Sequence, residues 1–70
     1  MRIKVNGEFI MLNPEQDHPN LVNVVELLGH NPKLIVIEFN GEILPPDKWS
    51  NQIVNDEDSL EIVTIVGGGS

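Results

Sequence analysis

Apolar residues along this chain recur at two different periods, and the change of period marks its elements. Near the start, Ile3 and Val5 lie on one side of an Asn6-Gly7 dipeptide, and Ile10 and Leu12 on the other, each pair spaced by two. Asn-Gly suits a two-residue type I′ turn, because both of its positions need φ > 0. The spacing predicts a hairpin of Arg2–Asn6 with Glu8–Leu12, with Val5 opposite Glu8 and Ile3 opposite Ile10. In that register Ile3, Val5, Ile10 and Leu12 share one face. Lys4, Phe9 and Met11 share the other, which the charge on Lys4 directs outward.

A polar stretch from Asn13 to Pro19 follows, and then the period lengthens. Leu21, Val24, Val25 and Leu28 recur at i, i+3, i+4 and i+7, the stripe of a helix that Asn20 caps and Gly29 ends, with Pro32 barring continuation. A helix of about nine residues is too short to persist alone and must pack on a sheet. Leu34–Phe39 is nearly all apolar and reads as an interior strand covered on much of both faces. Asn40-Gly41 predicts a second hairpin, with Glu42–Leu44 returning as a short strand stopped by Pro45-Pro46. Asp47-Lys48-Trp49 reads as a single helical turn, with Trp49 anchoring the core beneath the proline bend. Asn55–Ser59 is a polar turn and Leu60–Val66 the last strand. The order is β-β-α-β-β-β, an α+β fold with one helix packed on one face of a mixed sheet. The pattern leaves the strand order open. Parallel pairing of the first and last strands gives the right-handed crossover that such connections prefer.

Length limits what this fold can do. Seventy residues make one domain, here a body of residues 1–66 and a flexible glycine tail of residues 67–70. A body this small buries only roughly 60–65% of the surface of its unfolded chain. It has no room for a deep substrate pocket, which argues against an enzyme. Without cysteine the chain has neither disulfides nor a thiol of its own. No apolar run approaches the roughly 20 residues of a membrane span, and no signal peptide opens the chain, so a cytoplasmic location is expected. The net charge is −7, with Arg2, Lys4, Lys33 and Lys48 the only strongly basic residues. Phosphate backbones repel such a surface, which excludes nucleic acid as the expected partner. The acidity serves solubility, or it speeds encounter with a basic partner surface.

Side chains offer little chemistry. His18 and His30 lack the spacing of a helical metal pair, and both read as surface or loop residues. No Gly-rich phosphate loop with its Lys and Ser/Thr is present, so no cofactor is expected on the chain itself. Asp56-Glu57-Asp58 lacks the ligand alternation of a calcium loop and reads as a solvated turn, leaving no expected metal site. If Leu60 and Ile62 point to the helix, Val63 and Ile65 join Phe9 and Met11 on the open face, where apolar residues make a candidate docking site. The glycines at the end are more informative. Gly67, Gly68 and Gly69 directly follow a strand, and a chain without Cβ atoms can thread a narrow channel. Four extended residues reach roughly 13–14 Å, enough to carry a carboxylate into a partner's active site. Gly-Gly-Gly-Ser is equally a flexible linker.

The ordered set Ile37-Glu38-Phe39-Asn40-Gly41-Glu42-Ile43-Leu44-Pro45, Trp49, Asp58, Leu60-Glu61-Ile62-Val63 and Val66-Gly67-Gly68-Gly69 resembles the thiamine-pathway sulfur carriers of the ThiS family, which have a ubiquitin-like β-grasp fold. The Arg2–Leu12 hairpin and the Leu21–Leu28 helix agree with it. The resemblance implies a carrier that is not itself an enzyme. An E1-like adenylating enzyme (ThiF-like) would use ATP to adenylate the carboxylate of Gly69, or of Gly68 after further trimming. A sulfur donor would convert it to a thiocarboxylate, and a thiazole synthase (ThiG-like) would take the sulfur into the thiazole of thiamine. Three departures stand out: Pro46 where the family often has a basic residue, Glu57-Asp58 in place of a Gly-Asp turn, and Ser70 after the glycines. Two other readings stay open. One is a carrier like the small subunit of molybdopterin synthase, and the other a ubiquitin-like interaction module without carrier activity.

Overall fold

In the computed structural model, which describes residues 1–65, both Asn-Gly dipeptides turn the chain as expected. Asn6 and Gly7 take φ of 51° and 85°, and Asn40 and Gly41 take 48° and 90°. The first turn joins β1 (Arg2–Val5) to β2 (Glu8–Met11), and the second joins β3 (Ile35–Phe39) to β4 (Glu42–Leu44). Ile3 stands opposite Ile10 and Val5 opposite Glu8, the register that the turn length requires. The last strand, β5 (Ser59–Thr64), pairs parallel with β1 and antiparallel with β3. The sheet order is β2-β1-β5-β3-β4, so the last strand in sequence is the central strand in space.

Helix α1 (Leu21–Leu28) forms because its ends are closed and one face is apolar. The Asn20 side chain accepts the Asn23 N–H, and the Asn23 side chain accepts the Asn20 N–H, each at 2.9 Å. Such a cap contributes about 1 kcal/mol. At the other end Gly29 turns left-handed (φ 79°), where His30 N–H reaches the Val25 carbonyl at 3.3 Å. Leu21, Val24 and Val25 are fully buried against Ile3, Ile37, Leu60 and Ile62. Val5, Ile10, Leu12 and Leu28 are half-buried and pack against that core.

Trp49 lies in the core, 1% exposed, and its indole N–H donates to the Leu44 carbonyl at 2.9 Å. The turn that carries it is longer than the three residues expected: a 3-10 helix covers Pro46–Asn51. The segment after it, which the apolar pattern leaves unassigned, braces the start of α1. Leu21 N–H donates to the Gln52 carbonyl and Val54 N–H to the Pro19 carbonyl, each at 2.8 Å. Val54 is buried.

Three expectations need correction. Leu34 belongs to a 3-10 turn (Pro32–Leu34) and not to the strand. β3 is interior by pairing but covered on one face only: Ile35, Ile37 and Phe39 are buried, whereas Val36 and Glu38 are exposed. One helix covers one face of a sheet, and nothing packs on the other among the described residues. Ser59 starts the last strand instead of ending the polar turn before it, and the strand ends at Thr64, with Ile65 already outside it, where the apolar pattern carried it on. Among the described residues, no helix is long and apolar enough to cross a membrane.

Candidate functional site

The central position of β5 matters because the glycines come soon after its end, with Ile65 and Val66 between Thr64 and Gly67. Gly67, Gly68 and Gly69 lie outside the described residues, as do Val66 and Ser70. What the structure describes is the platform from which they depart. Along one edge, β3 holds β5 from Leu60 to Thr64, and Ile65 N–H donates to the Leu34 carbonyl at 2.6 Å.

The other edge is less complete. β1 pairs with β5 only as far as Leu60, because the chain turns away at Asn6-Gly7. There the Asn6 side chain continues the contact. Its Oδ1 accepts the Ile62 N–H at 2.7 Å and its Nδ2 donates to the Ile62 carbonyl at 3.2 Å. Asn40, in the other turn, grips the start of the same strand. Its Oδ1 accepts the Ser59 N–H at 2.8 Å, and its Nδ2 donates to Asp58 Oδ1 at 3.1 Å.

The acidic turn before β5 is bonded, not merely solvated. Asp56 Oδ1 accepts the Arg2 N–H at 2.8 Å, and Asp58 Oδ2 accepts the Asn55 N–H at 2.8 Å. Glu57 meets the Arg2 guanidinium with both oxygens, at 2.6 and 2.7 Å. That hydrogen bonding, more than the charge attraction that accompanies it, holds the Glu57 carboxyl below the usual carboxylate range. Glu57 has φ 72°, a backbone conformation that favours glycine. This accounts for the Gly-Asp turn of the family pattern, and the Arg2 pair gives the glutamate a partner of its own. His18 is exposed and His30 half-buried. Among the described residues no cluster of His, Cys, Asp or Glu could hold a metal ion.

The four expected docking residues are exposed: Phe9 54%, Met11 73%, Val63 62% and Ile65 49%. They do not form one patch. Met11 stands opposite Arg2, and Phe9 opposite Lys4, which is itself opposite Ser59. Val63 lies opposite Val36, four residues further along β5 than Ser59 and so about 13 Å away. Glu61 and Glu38, paired with each other, stand between. The first corner is aromatic and basic, with the Arg2 guanidinium 4.3 Å and Lys4 Nζ 5.5 Å from the Phe9 ring centre. The second is apolar with an acidic margin. Val36 extends it beside Val63, and Ile43 (exposed, opposite Glu38) lies one strand further out, on β4. Val36 and Ile43 were not legible as part of this surface, since placing them needs the β5–β3–β4 register. The same holds for the grip of Asn6 and Asn40 on β5, because both dipeptides are fully explained by their turns.

A five-stranded mixed sheet under one helix, its central strand the last before a glycine run in the sequence, is the ubiquitin-like β-grasp arrangement of the small carrier-type proteins. Residues 3–69 match the ThiS family, to which this chain belongs. The match runs through Gly69. The chain is 34% identical to the protein ycf40 of Trieres chinensis, with 97% of each covered. It is also 36% identical to part of a thiazole synthase of Paramagnetospirillum magneticum, where the match takes in the whole of this chain and 21% of that protein. The crystal structure of the thiamine biosynthesis protein ThiS of Geobacter metallireducens superposes with a TM-score of 0.80 at 26% identity, covering 99% of this chain and 100% of that one.

Proposed function

We propose that this chain is a sulfur carrier for thiamine thiazole formation, working through the carboxylate of Gly69. The observation that carries the reading is the position of the glycine run in the chain, shortly after the central strand, which its neighbours β1 and β3 hold in place. A rigid platform followed by residues without Cβ atoms suits a chain end delivered into another protein's active site. Membership of the ThiS family supports it, and so does the likeness to a ThiS structure. The likeness to part of a thiazole synthase supports thiazole synthase as the partner that accepts the sulfur.

In this reading a Gly69 carboxylate oxygen attacks the α-phosphorus of ATP on an E1-like adenylating enzyme, and pyrophosphate leaves. A sulfide-level donor then attacks the carbonyl carbon of the acyl adenylate and expels AMP, leaving a thiocarboxylate. The carrier supplies the carboxylate and the reach, while its partners supply ATP binding and catalysis. The test is intact mass of the chain ending at Gly69 after incubation with the adenylating enzyme, ATP and a sulfur source. The expected result is a gain equal to the difference between sulfur and oxygen. An unchanged mass with an enzyme that adenylates a known carrier overturns the reading.

The apolar corner at Val63 and Ile65 lies nearest the tail and is the part of the docking surface that a partner meets while it holds the chain end. Phe9 and Met11 form a separate contact at the basic corner. Val63→Asp places a charge at the centre of the apolar corner and should weaken binding to the adenylating enzyme or the synthase at least about tenfold. The helical content should not change, because Val63 faces outward. Calorimetric titration against both partners checks this, and unchanged affinity for both counts against the docking role.

A further inference from the structure

The contact between Asn6 and Ile62 has a geometry that the turn alone does not require. In the β1–β5 ladder, Lys4 N–H donates to the Asp58 carbonyl and Asn6 N–H to the Leu60 carbonyl, each at 2.9 Å. Evenly stepped parallel bonding continues with Ile62 N–H donating to the carbonyl of residue 6, and then with the N–H of residue 8 donating to the Ile62 carbonyl. Neither backbone group is in place, because Asn6 and Gly7 are left-handed and the chain has turned back into β2. The Asn6 carboxamide fills both positions. Its Oδ1 stands in for the missing carbonyl and its Nδ2 for the missing N–H. One side chain thus carries the β1 edge of β5 on to Ile62, four residues before Val66 and seven before Gly69.

We propose that Asn6 is a positioning residue for the tail: its carboxamide completes the ladder at Ile62 and so sets where, and in what direction, the glycine run leaves the sheet. The inference rests on the carrier reading, in which the chain end must arrive at a reacting phosphorus. A displacement of about 1 Å at such a centre can cost about a hundredfold in rate, and without the Asn6 bonds β5 is held at Ile62 and beyond along its β3 edge alone. Asn40 provides the internal comparison. It occupies the same left-handed turn position and also makes two side-chain bonds, but it grips Ser59 and Asp58. Those bonds are three and four residues back from Ile62, about 10–13 Å along the chain.

Asn6→Gly and Asn40→Gly test this as a matched pair. Glycine keeps the left-handed turn at no steric cost, so each change removes the carboxamide alone. Pyrophosphate exchange is measured with the adenylating enzyme on chains ending at Gly69, and amide hydrogen exchange on the full chain. Asn6→Gly should lower kcat at least about tenfold with KM within about twofold, and should speed exchange at the Ile62 amide. Asn40→Gly should leave kcat near that of the unsubstituted chain. Equal falls in both variants, in step with their loss of thermal stability, would mean a structural role only and overturn the proposal. So would an unchanged kcat in Asn6→Gly. If Asn6→Gly does not fold, Asn6→Asp carries the test: it keeps the acceptor for the Ile62 N–H, loses the donor, and should give an intermediate kcat. No exchange with the unsubstituted chain would overturn the carrier reading itself, and this proposal with it.

Discussion

The chain ending at Gly69 should support pyrophosphate exchange with an adenylating enzyme, and the chain carrying Ser70 should fall at least about a hundredfold below it. The reason is reach and shape. Ser70 adds roughly 3.5 Å to an extended tail, so its carboxylate overshoots the position at which the glycine carboxylate meets the nucleotide. It also brings a Cβ and a hydroxyl to the reacting carbon, in a channel that the resemblance expects to admit only glycine. Gly68→Val in the Gly69-ended chain should abolish exchange again by blocking that channel. Among the described residues the buried core lies between Ile3 and Ile62, and circular dichroism and melting temperature should stay the same after these changes. Equal exchange with and without Ser70 would mean that the end of the tail is not read, and the carrier reading would lose its main physical support.

Trp49→Ala should leave the chain largely unfolded at 37 °C. Truncating a buried tryptophan costs about 3–5 kcal/mol. The Leu44 carbonyl also loses its indole partner. Domains have roughly 0.05–0.15 kcal/mol of stability per residue, so about 3.5–10 kcal/mol for a chain of this length. A single change therefore removes about 30% of the total at the least and all of it at the low end of that range. The site cannot close over the loss, because Trp49 is fixed between β4 and the segment that braces α1. Trp49→Phe keeps most of the volume and should cost distinctly less. Urea unfolding followed by circular dichroism is the measurement, since the variants lack the chain's one tryptophan as a fluorescence probe. A midpoint for Trp49→Ala close to that of the unsubstituted chain would show that the proline bend and the Gln52–Val54 segment hold without an anchor.

Much of this fold was legible locally. Asn6-Gly7 and Asn40-Gly41 announce their hairpins because few dipeptides accept φ > 0 at both positions, and a two-residue loop leaves one register. Leu21, Val24, Val25 and Leu28, between an asparagine cap and a glycine end, announce the helix and the face it buries. The glycine run offered a candidate site and a flexible linker equally, and only the resemblance to the ThiS family favoured the first. Leu34–Phe39 misled for a physical reason: an apolar run is the same whether a strand is covered on two faces or leaves apolar side chains in solvent, and Val36 does the latter.

What could be read without the fold is therefore what depends on near neighbours: turns, caps and element order. Only the tertiary structure decided how distant segments meet. It placed β5 at the centre of the sheet, separated Phe9 and Met11 from Val63 and Ile65, and set Glu57 against Arg2. It also turned the two hairpin asparagines onto the strand that leads to the glycines, in the case of Asn6 across 56 positions of chain. Such contacts have no local signature, since a turn needs asparagine for its backbone whether or not the carboxamide finds a partner. The partner exists only once the parallel pairing of β1 and β5 has brought Ile62 alongside a strand that has run out.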